Sequence, residues 1–247
     1  MNALSKLVTT DDIAGETDSV GGSGGPVPSG LYTSTITLAY LITAKSEALG
    51  LVLHAKTEAG QEIRQTVWMT SGKEKGGKNY YEKDGKKTYL PGFLMANSIA
   101  LLTCGKEIGE LETEEKVVKL YSYDAKAEVP TKVQVFTDLI GKEIILGLIK
   151  QTVDKNIKND AGVYVATGET RDENELDKVF RASDRKTTAE IRAESEAVFI
   201  DKWADKWTDV TRNRTKDIAA GGGKPGVPAV KPGASGAGKP KSSLFGS

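Results

Sequence analysis

Residues 31–42, LYTSTITLAYLI, decide the fold class of this chain. Their β-branched and aromatic side chains recur with a period of two residues, which is the repeat of a β-strand. The same pattern continues in residues 49–56 and, after the Ala59-Gly60 turn, in residues 62–70. Three successive strands predict a β-meander at the start of the folded part.

The chain after the meander changes its period once and then returns to strand patterns. Residues 92–105 are apolar with helical spacing and end at Gly105, a typical stop residue. Strand patterns follow at residues 116–123, 131–136 and 143–153, and residues 163–166 are expected to pair back as a hairpin. The order β-β-β-α-β-β predicts a mainly β chain with an OB-like five-stranded barrel and an inserted short helix.

The C-terminal part predicts an amphipathic helix and a tail. Thr187 to Glu190 fit a capping box, and a helix from there to about Val210 places Phe199, Trp203 and Trp207 on one face. This stripe favours docking on the barrel or a homodimer, and a platform for a peptide or a base is the remaining reading. The predicted organisation is a flexible arm (1–28), the barrel (29–182), the helix (183–219) and a disordered Gly/Pro/Lys tail (220–247).

Composition excludes several classes of site. Cys104 is the only cysteine and His54 the only histidine, so an intramolecular disulfide, a Cys-rich zinc site and a His-rich metal site are excluded. Glu114-Glu115-Lys116 formally supplies half of a metal-dependent nuclease site, but no Pro-Asp partner precedes it. No apolar run approaches the ~20 residues of a membrane span. We therefore expect a cytosolic protein that is not an enzyme, has no cofactor and does not bind a membrane.

Residues 73–93, KEKGGKNYYEKDGKKTYLPGF, concentrate charge that the neutral total of 34 basic and 34 acidic residues hides. Six lysines between residues 73 and 87 face only three acids, and Tyr80-Tyr81 lie between two glycine turns, at the expected top of a hairpin. Ammonium groups that follow phosphates and flat rings on which bases stack are what single-stranded nucleic acid requires. The alternative is a solvated hairpin whose tyrosines pack on the barrel.

Two strands extend the candidate DNA-binding surface. Arg64 and Trp68 alternate on one face of the third strand, which OB barrels use for oligonucleotides, although a core role for Trp68 remains open. A later strand carries a second basic and aromatic group. The predicted binding residues are Arg64, Trp68, Lys73, Lys75, Lys78, Tyr80, Tyr81, Lys83, Lys86, Lys87, Tyr89, Lys119, Tyr121 and Tyr123.

Several segments in this order, among them SGLYTSTITLAYL, YLPGFLMAN, LLTCGK and ETRDENELDKVF, resemble single-stranded DNA-binding proteins of short-tailed bacteriophages over roughly residues 30–215. The resemblance implies an OB-type barrel that coats single-stranded DNA in the host cytoplasm during replication and recombination, with phage replication proteins as further partners. The tail departs from the acidic tail of such proteins because it is basic. The alternative function is a phage structural or assembly protein in which the β-barrel makes subunit contacts.

Overall fold

Strands dominate the computed structural model, which describes residues 25–122, 125–158 and 164–215. The strands of this part are β1 (Gly30–Thr43), β2 (Leu49–Thr57), β3 (Glu62–Trp68), β4 (Tyr80–Lys83), β5 (Lys86–Tyr89), β6 (Thr113–Ser122), β7 (Ala127–Phe136), β8 (Glu143–Lys158), β9 (Tyr164–Arg181) and β10 (Arg212–Asn213). The helices are α1 (Pro91–Cys104), α2 (Thr188–Arg192) and α3 (Phe199–Trp207). A mainly β chain with the meander and the inserted helix is confirmed. The predictions for residues 1–24 and 216–247 lie outside the described residues.

The long strand β1 organises the main sheet. One of its edges pairs with β2, while the other edge pairs first with β8 and then with β7, all antiparallel. The sheet continues from β2 to β3, from β8 to β9 and from β7 to β6, and β10 adds a short parallel pairing to β8. Strands β4 and β5 form a separate hairpin. The order β3-β2-β1-β8-β9 is not closed by backbone pairing between β3 and β9 within the described residues.

The core lies on one face of this sheet. Alternation along each strand buries side chains such as Ile36, Leu51, Leu53 and Leu146, and Ile99 of α1 packs against them. The opposite face carries a smaller cluster of Tyr40, Val52 and Val135, which are neighbours across the β2–β1–β7 ladder, and Leu120 of β6 packs against this cluster. His54 lies on this second face, with its ring centroid 5.9 Å from that of Tyr40, and it is only half buried.

Strand β9 is much longer than the predicted hairpin at residues 163–166. Its charged residues form ion pairs across to β8, including Lys155 to Glu169 (2.7 Å) and Lys150 to Asp172 (3.0 Å). These pairs allow a highly polar segment to lie in a ladder that β-propensity alone does not favour. The predicted short strand was therefore wrong in extent.

The prediction of one continuous helix from Thr187 was also wrong. The capping box at Thr187 is present, but α2 ends after five residues and α3 begins at Phe199. The buried carboxylate of Glu190 accepts hydrogen bonds from the backbone N–H groups of Thr187, Val198 and Phe199. This one side chain satisfies donors at the start of both helices, so the chain turns between them.

The aromatic stripe docks α3 on its own chain. Trp203 is buried, its indole lies against Gly147 of β8, and its Nε1–H donates to Asp177 of β9 over 2.7 Å. Trp207 packs against the same small cluster, while Phe199 is partly exposed. Docking of the stripe on the sheet is thus observed, and the homodimer stays a prediction. In the described part of the chain, no helix has the length and apolar character needed to cross a membrane.

Candidate nucleic-acid interface

A groove of about 950 Å³ lies where the β1–β2 turn, the end of β3 and the segment from Thr70 to Glu82 meet. Its walls carry the aromatic rings of Trp68, Tyr80 and Tyr81. The charged groups of the lining are four lysines and three glutamates: Lys45, Lys73, Lys75, Lys78, Glu47, Glu74 and Glu82. The groove therefore gathers six of the predicted binding residues and adds Lys45, which sequence reasoning missed because it belongs to a turn distant in sequence.

Trp68 is a surface platform rather than a core residue. The side chain is 44% exposed and lies over Gly50, its partner across the β2–β3 ladder. A Cβ at Gly50 would be 2.9 Å from Cε3 of the indole and 3.2 Å from Cγ1 of Ile42. The bare glycine thus lets the ring lie close to the sheet, which leaves part of its surface open to a stacking partner.

Gly92 allows helix α1 to pack closely against the backbone of Trp68. A Cβ at Gly92 would collide with the Trp68 carbonyl group, 2.9 Å from its carbon atom. Pro91 occupies the first turn of the helix, where a missing N–H costs nothing. The Pro91-Gly92 pair indicates the start of a helix in the sequence. It does not indicate that Gly92 packs against the backbone of Trp68 in β3.

The segment from Ser71 to Lys78 is fixed against the β1–β2 turn. The N–H of Lys73 donates to the Ser46 carbonyl over 2.7 Å, and the N–H of Ser71 donates to the Lys78 carbonyl over 2.8 Å. Gly76 and Gly77 both have positive φ, at 83° and 60°, which only glycine adopts readily. These contacts hold three lysines at the groove. Lys73 forms a 2.7 Å ion pair with Glu47, which is a weak interaction at such an exposed position.

The β4–β5 hairpin places its tyrosines at its base. Tyr80 pairs with Tyr89 across the ladder, and the turn residues Asp84 and Gly85 both have positive φ, as a two-residue type I′ turn requires. Tyr80-Tyr81 therefore lie next to the groove, and the prediction that they form the top of the hairpin was wrong. Lys83 and Lys86 flank the tip instead. The number of residues between the two glycine turns does not show whether the tyrosines lie at the base or at the tip of the hairpin.

Cations surround the ring of Tyr80. The Nζ atoms of Lys87 and Lys78 lie 5.1 and 5.5 Å from its centroid, within the range of a cation–π contact. Tyr89, on the same face of the hairpin, packs against Phe93 of α1 with ring centroids 5.1 Å apart. The hairpin thus joins the groove to α1 through aromatic contacts.

Arg64 shares the outer face of β3 with Trp68 but does not line the groove. Its guanidinium donates to Tyr40 Oη over 3.3 Å, and it lies opposite His54 in the ladder. Burial, together with the positive charge of Arg64, lowers the pKa of His54, so this imidazole is neutral at pH 7. Arg64 is itself exposed and adds a positive charge to β3 outside the groove.

The second predicted group is separated from the groove. Lys119 and Tyr121 alternate with Val118 and Leu120 on β6, and Leu120 packs on the cluster around Tyr40. Lys119 and Tyr121 consequently lie on the opposite face of the β6–β7 hairpin, and Tyr123 lies outside the described residues.

Both glutamates of the acidic motif of β6 form exposed ion pairs with lysines. Glu114 forms an exposed ion pair with Lys116, with 3.1 Å between Oε2 and Nζ. Among residues 25–122, 125–158 and 164–215, no group of three or more His, Cys, Asp or Glu side chains is arranged to hold a metal ion.

The groove therefore offers the exposed rings of Trp68 and Tyr81 next to four lysines and three glutamates, and two glycines hold Trp68 in place. Such a surface suits a flexible polyanion that also carries flat apolar rings. Comparison with models of known protein families gives no match, and a search of characterised proteins finds none with significant similarity to the chain.

Proposed function

We propose that this chain binds single-stranded DNA with little regard to sequence and protects it during phage DNA replication and recombination. The observation that carries the proposal is the groove in which Trp68, Tyr80 and Tyr81 lie beside four lysines, which outnumber its three glutamates. Lysines that follow the phosphates supply salt-dependent affinity, and stacking on each ring adds about 1–3 kcal/mol per base.

The order of strands supports an OB-like barrel beneath this groove. Strands β3-β2-β1-β8-β9 follow the order of such a barrel, and α1 is inserted between β3 and the later strands. The open seam is bridged by Gln65 of β3, whose Nε2 donates to the Asn174 carbonyl and whose Oε1 accepts from the Leu176 N–H, both over 3.3 Å. OB barrels bind oligonucleotides on strands 2 and 3 and the loop between strands 1 and 2, which correspond to the walls of the groove.

A titration of fluorescently labelled oligo-dT, followed by anisotropy, tests the function. We expect binding that prefers single strand over duplex competitor and whose logarithm falls linearly with log salt, with a slope of about −0.7 per phosphate neutralised. Trp68→Ala should weaken binding by roughly 5- to 150-fold, the equivalent of one lost stacking contact, while Trp68→Phe should retain most of it. No binding at low salt, or a Trp68→Ala protein that binds like wild type, would contradict the proposal.

A charge-matched pair of variants separates the groove from general electrostatics. Lys78 lines the groove, whereas Lys202 is exposed on α3 and lines none of it. Lys78→Glu should weaken binding and reduce the salt slope, and Lys202→Glu should change both only slightly. Equal losses in the two variants would mean that net charge, not the groove, governs binding.

The exposed face of the β6–β7 hairpin favours the second candidate, a phage structural or assembly protein. Val117 is 63% exposed and Tyr121 49% exposed on that face, and apolar side chains exposed together are typical of subunit contacts. This reading predicts oligomers that Val117→Lys dissociates in sedimentation experiments, with no binding of oligo-dT.

A further inference from the structure

Strand β6 is an open edge of the main sheet in the part of the chain that the structure describes. It pairs with β7 along its whole length and with no other strand of that part. Neither proline nor glycine interrupts its ten residues, so the edge presents a regular row of backbone N–H and C=O groups. Four charged side chains along it disfavour most partner strands and favour one whose charges are complementary.

Alternate residues of β6 form an exposed face with a glutamate, a valine and a lysine in a row. Glu115, Val117 and Lys119 lie on the side of the hairpin opposite to Leu120, which packs on the rest of the sheet. Val117 is 63% exposed, and Glu115 forms an exposed ion pair with Lys132 of β7. Lys119 has no ion-pair partner among the described residues, so its charge is open to a group from outside the chain.

Two copies of β6 are complementary to each other when they lie antiparallel about Val117. A two-fold axis perpendicular to the sheet keeps both exposed faces on the same side, so that Val117 faces its counterpart and Glu115 of each copy faces Lys119 of the other. Registers centred on Glu115, Lys116 or Lys119 place like charges directly opposite each other, which is destabilising. The register centred on Val118 pairs no opposite charges. The sequence of β6 therefore singles out one self-complementary register.

We propose that two copies of this chain pair through β6, antiparallel about Val117, and form a dimer in which the two main sheets are continuous. Backbone hydrogen bonds between the edges supply affinity, and the two symmetric pairs of Glu115 with Lys119 fix the register. The inference goes beyond the proposed function, because the contact uses no residue of the Trp68 groove. It also places the subunit contact away from α3, whose Trp203 is buried against the sheet of its own chain.

Charge reversal on either side of Val117 tests this register, with sedimentation equilibrium of the full chain as the readout. Lys119→Glu sets two glutamates opposite each other at both ends of the contact, and Glu115→Lys sets two lysines there. Each variant alone should raise the dissociation constant of the dimer by roughly tenfold or more. An equimolar mixture of the two variants should recover dimers, because both lysines of one copy then face both glutamates of the other. Recovery in the mixture also shows that each variant is folded.

Lys202→Glu is the matched control, since it reverses an exposed lysine of α3, and it should change the dissociation constant by no more than about twofold. A wild-type chain that stays monomeric, dimers that survive Lys119→Glu, or a mixture that recovers no dimers would each overturn the proposal. Dissociation by Lys202→Glu in place of Lys119→Glu would put the contact on α3 and overturn it as well. Titration of wild type with labelled oligo-dT is a separate measurement: absence of binding would overturn the DNA-binding function and leave the β6 pairing in place.

Discussion

At the scale of the residue, two glycines determine whether Trp68 forms a usable surface. Gly50 lies beneath the indole and Gly92 lies against its backbone, so both positions exclude a Cβ for steric reasons rather than for backbone conformation. The tryptophan is consequently held between β2 and α1 while 44% of it stays exposed. A platform held in this way loses little rotamer entropy when a base stacks on it.

Gly92→Ala tests this packing. The new Cβ must push α1 away from β3, and we expect the free energy of unfolding to fall by about 1–3 kcal/mol, despite the better helix propensity of alanine. Gly109→Ala is the control, because a Cβ there meets nothing within 4 Å. Thermal unfolding followed by circular dichroism measures both variants. Equal melting temperatures for the two would show that α1 adjusts without cost.

At the scale of the element, the turn between α2 and α3 depends on one ionised group. Burial by itself raises the pKa of the Glu190 carboxyl, but its hydrogen bonds from Thr187, Phe199 and Val198 outweigh burial and hold the pKa below its ordinary value. A carboxyl whose pKa is lower in the folded state stabilises the fold above its unfolded pKa. That contribution is lost as the pH falls through the folded value.

Glu190→Gln should therefore lower the free energy of unfolding by about 1–3 kcal/mol at pH 7, because charge-assisted acceptors for two helix starts are replaced by a neutral amide. The difference from wild type should shrink as the pH falls below the ordinary glutamate pKa of about 4.3, because the unfolded state then binds a proton before the folded carboxyl does. Urea titrations at pH 7 and at an acidic pH measure the free energy of unfolding of both proteins. Glu196→Gln, which changes an exposed neighbour, is the reference. A difference that is independent of pH would show that the shape of the side chain matters and its charge does not.

Elements that repeat a local pattern were predictable, and those that depend on distant partners were not. Alternation was enough for β1, β2 and β3, and the apolar run ending at Gly105 was enough for α1. Strand β9 is full of acids, which a strand tolerates where they face solvent, and Lys150 and Lys155 of β8 pair with two of them across the ladder. The break after α2 likewise depends on Glu190 reaching forward to Phe199, a contact that helical periodicity does not encode.

The candidate site was likewise predictable in part: its residue types were visible in the sequence, but their grouping in space was not. The residue types of the groove were visible in the sequence, because lysines and tyrosines cluster between residues 73 and 89. Which of them share a surface was not visible. Lys45 joins them through the β1–β2 turn, whereas Lys119 and Tyr121 lie on the opposite face of a separate hairpin. Register between strands, and not distance along the chain, decides that grouping.

At the scale of the whole molecule, the two ends of the five-strand order meet through a side chain instead of a ladder. Gln65 supplies a donor and an acceptor to β9, and the neighbouring Asn174 holds Val27, which precedes β1, through two hydrogen bonds. The seam therefore connects the two ends of the strand order, the Val27 segment that precedes β1 and, three residues further along β3, the Trp68 platform.

Gln65→Ala should open this seam. The change removes two hydrogen bonds and leaves the Leu176 N–H without its partner, so we expect the free energy of unfolding to fall by about 1–3 kcal/mol. Gln134→Ala, at an exposed position of β7, should change stability by less than about 0.5 kcal/mol. Hydrogen exchange gives the local readout: the Leu176 amide should lose protection in Gln65→Ala under conditions where the amides paired between β1 and β2 keep theirs. If Leu176 exchanges at its wild-type rate, β3 and β9 are held together without Gln65, and the closure must come from packing of the core beneath them.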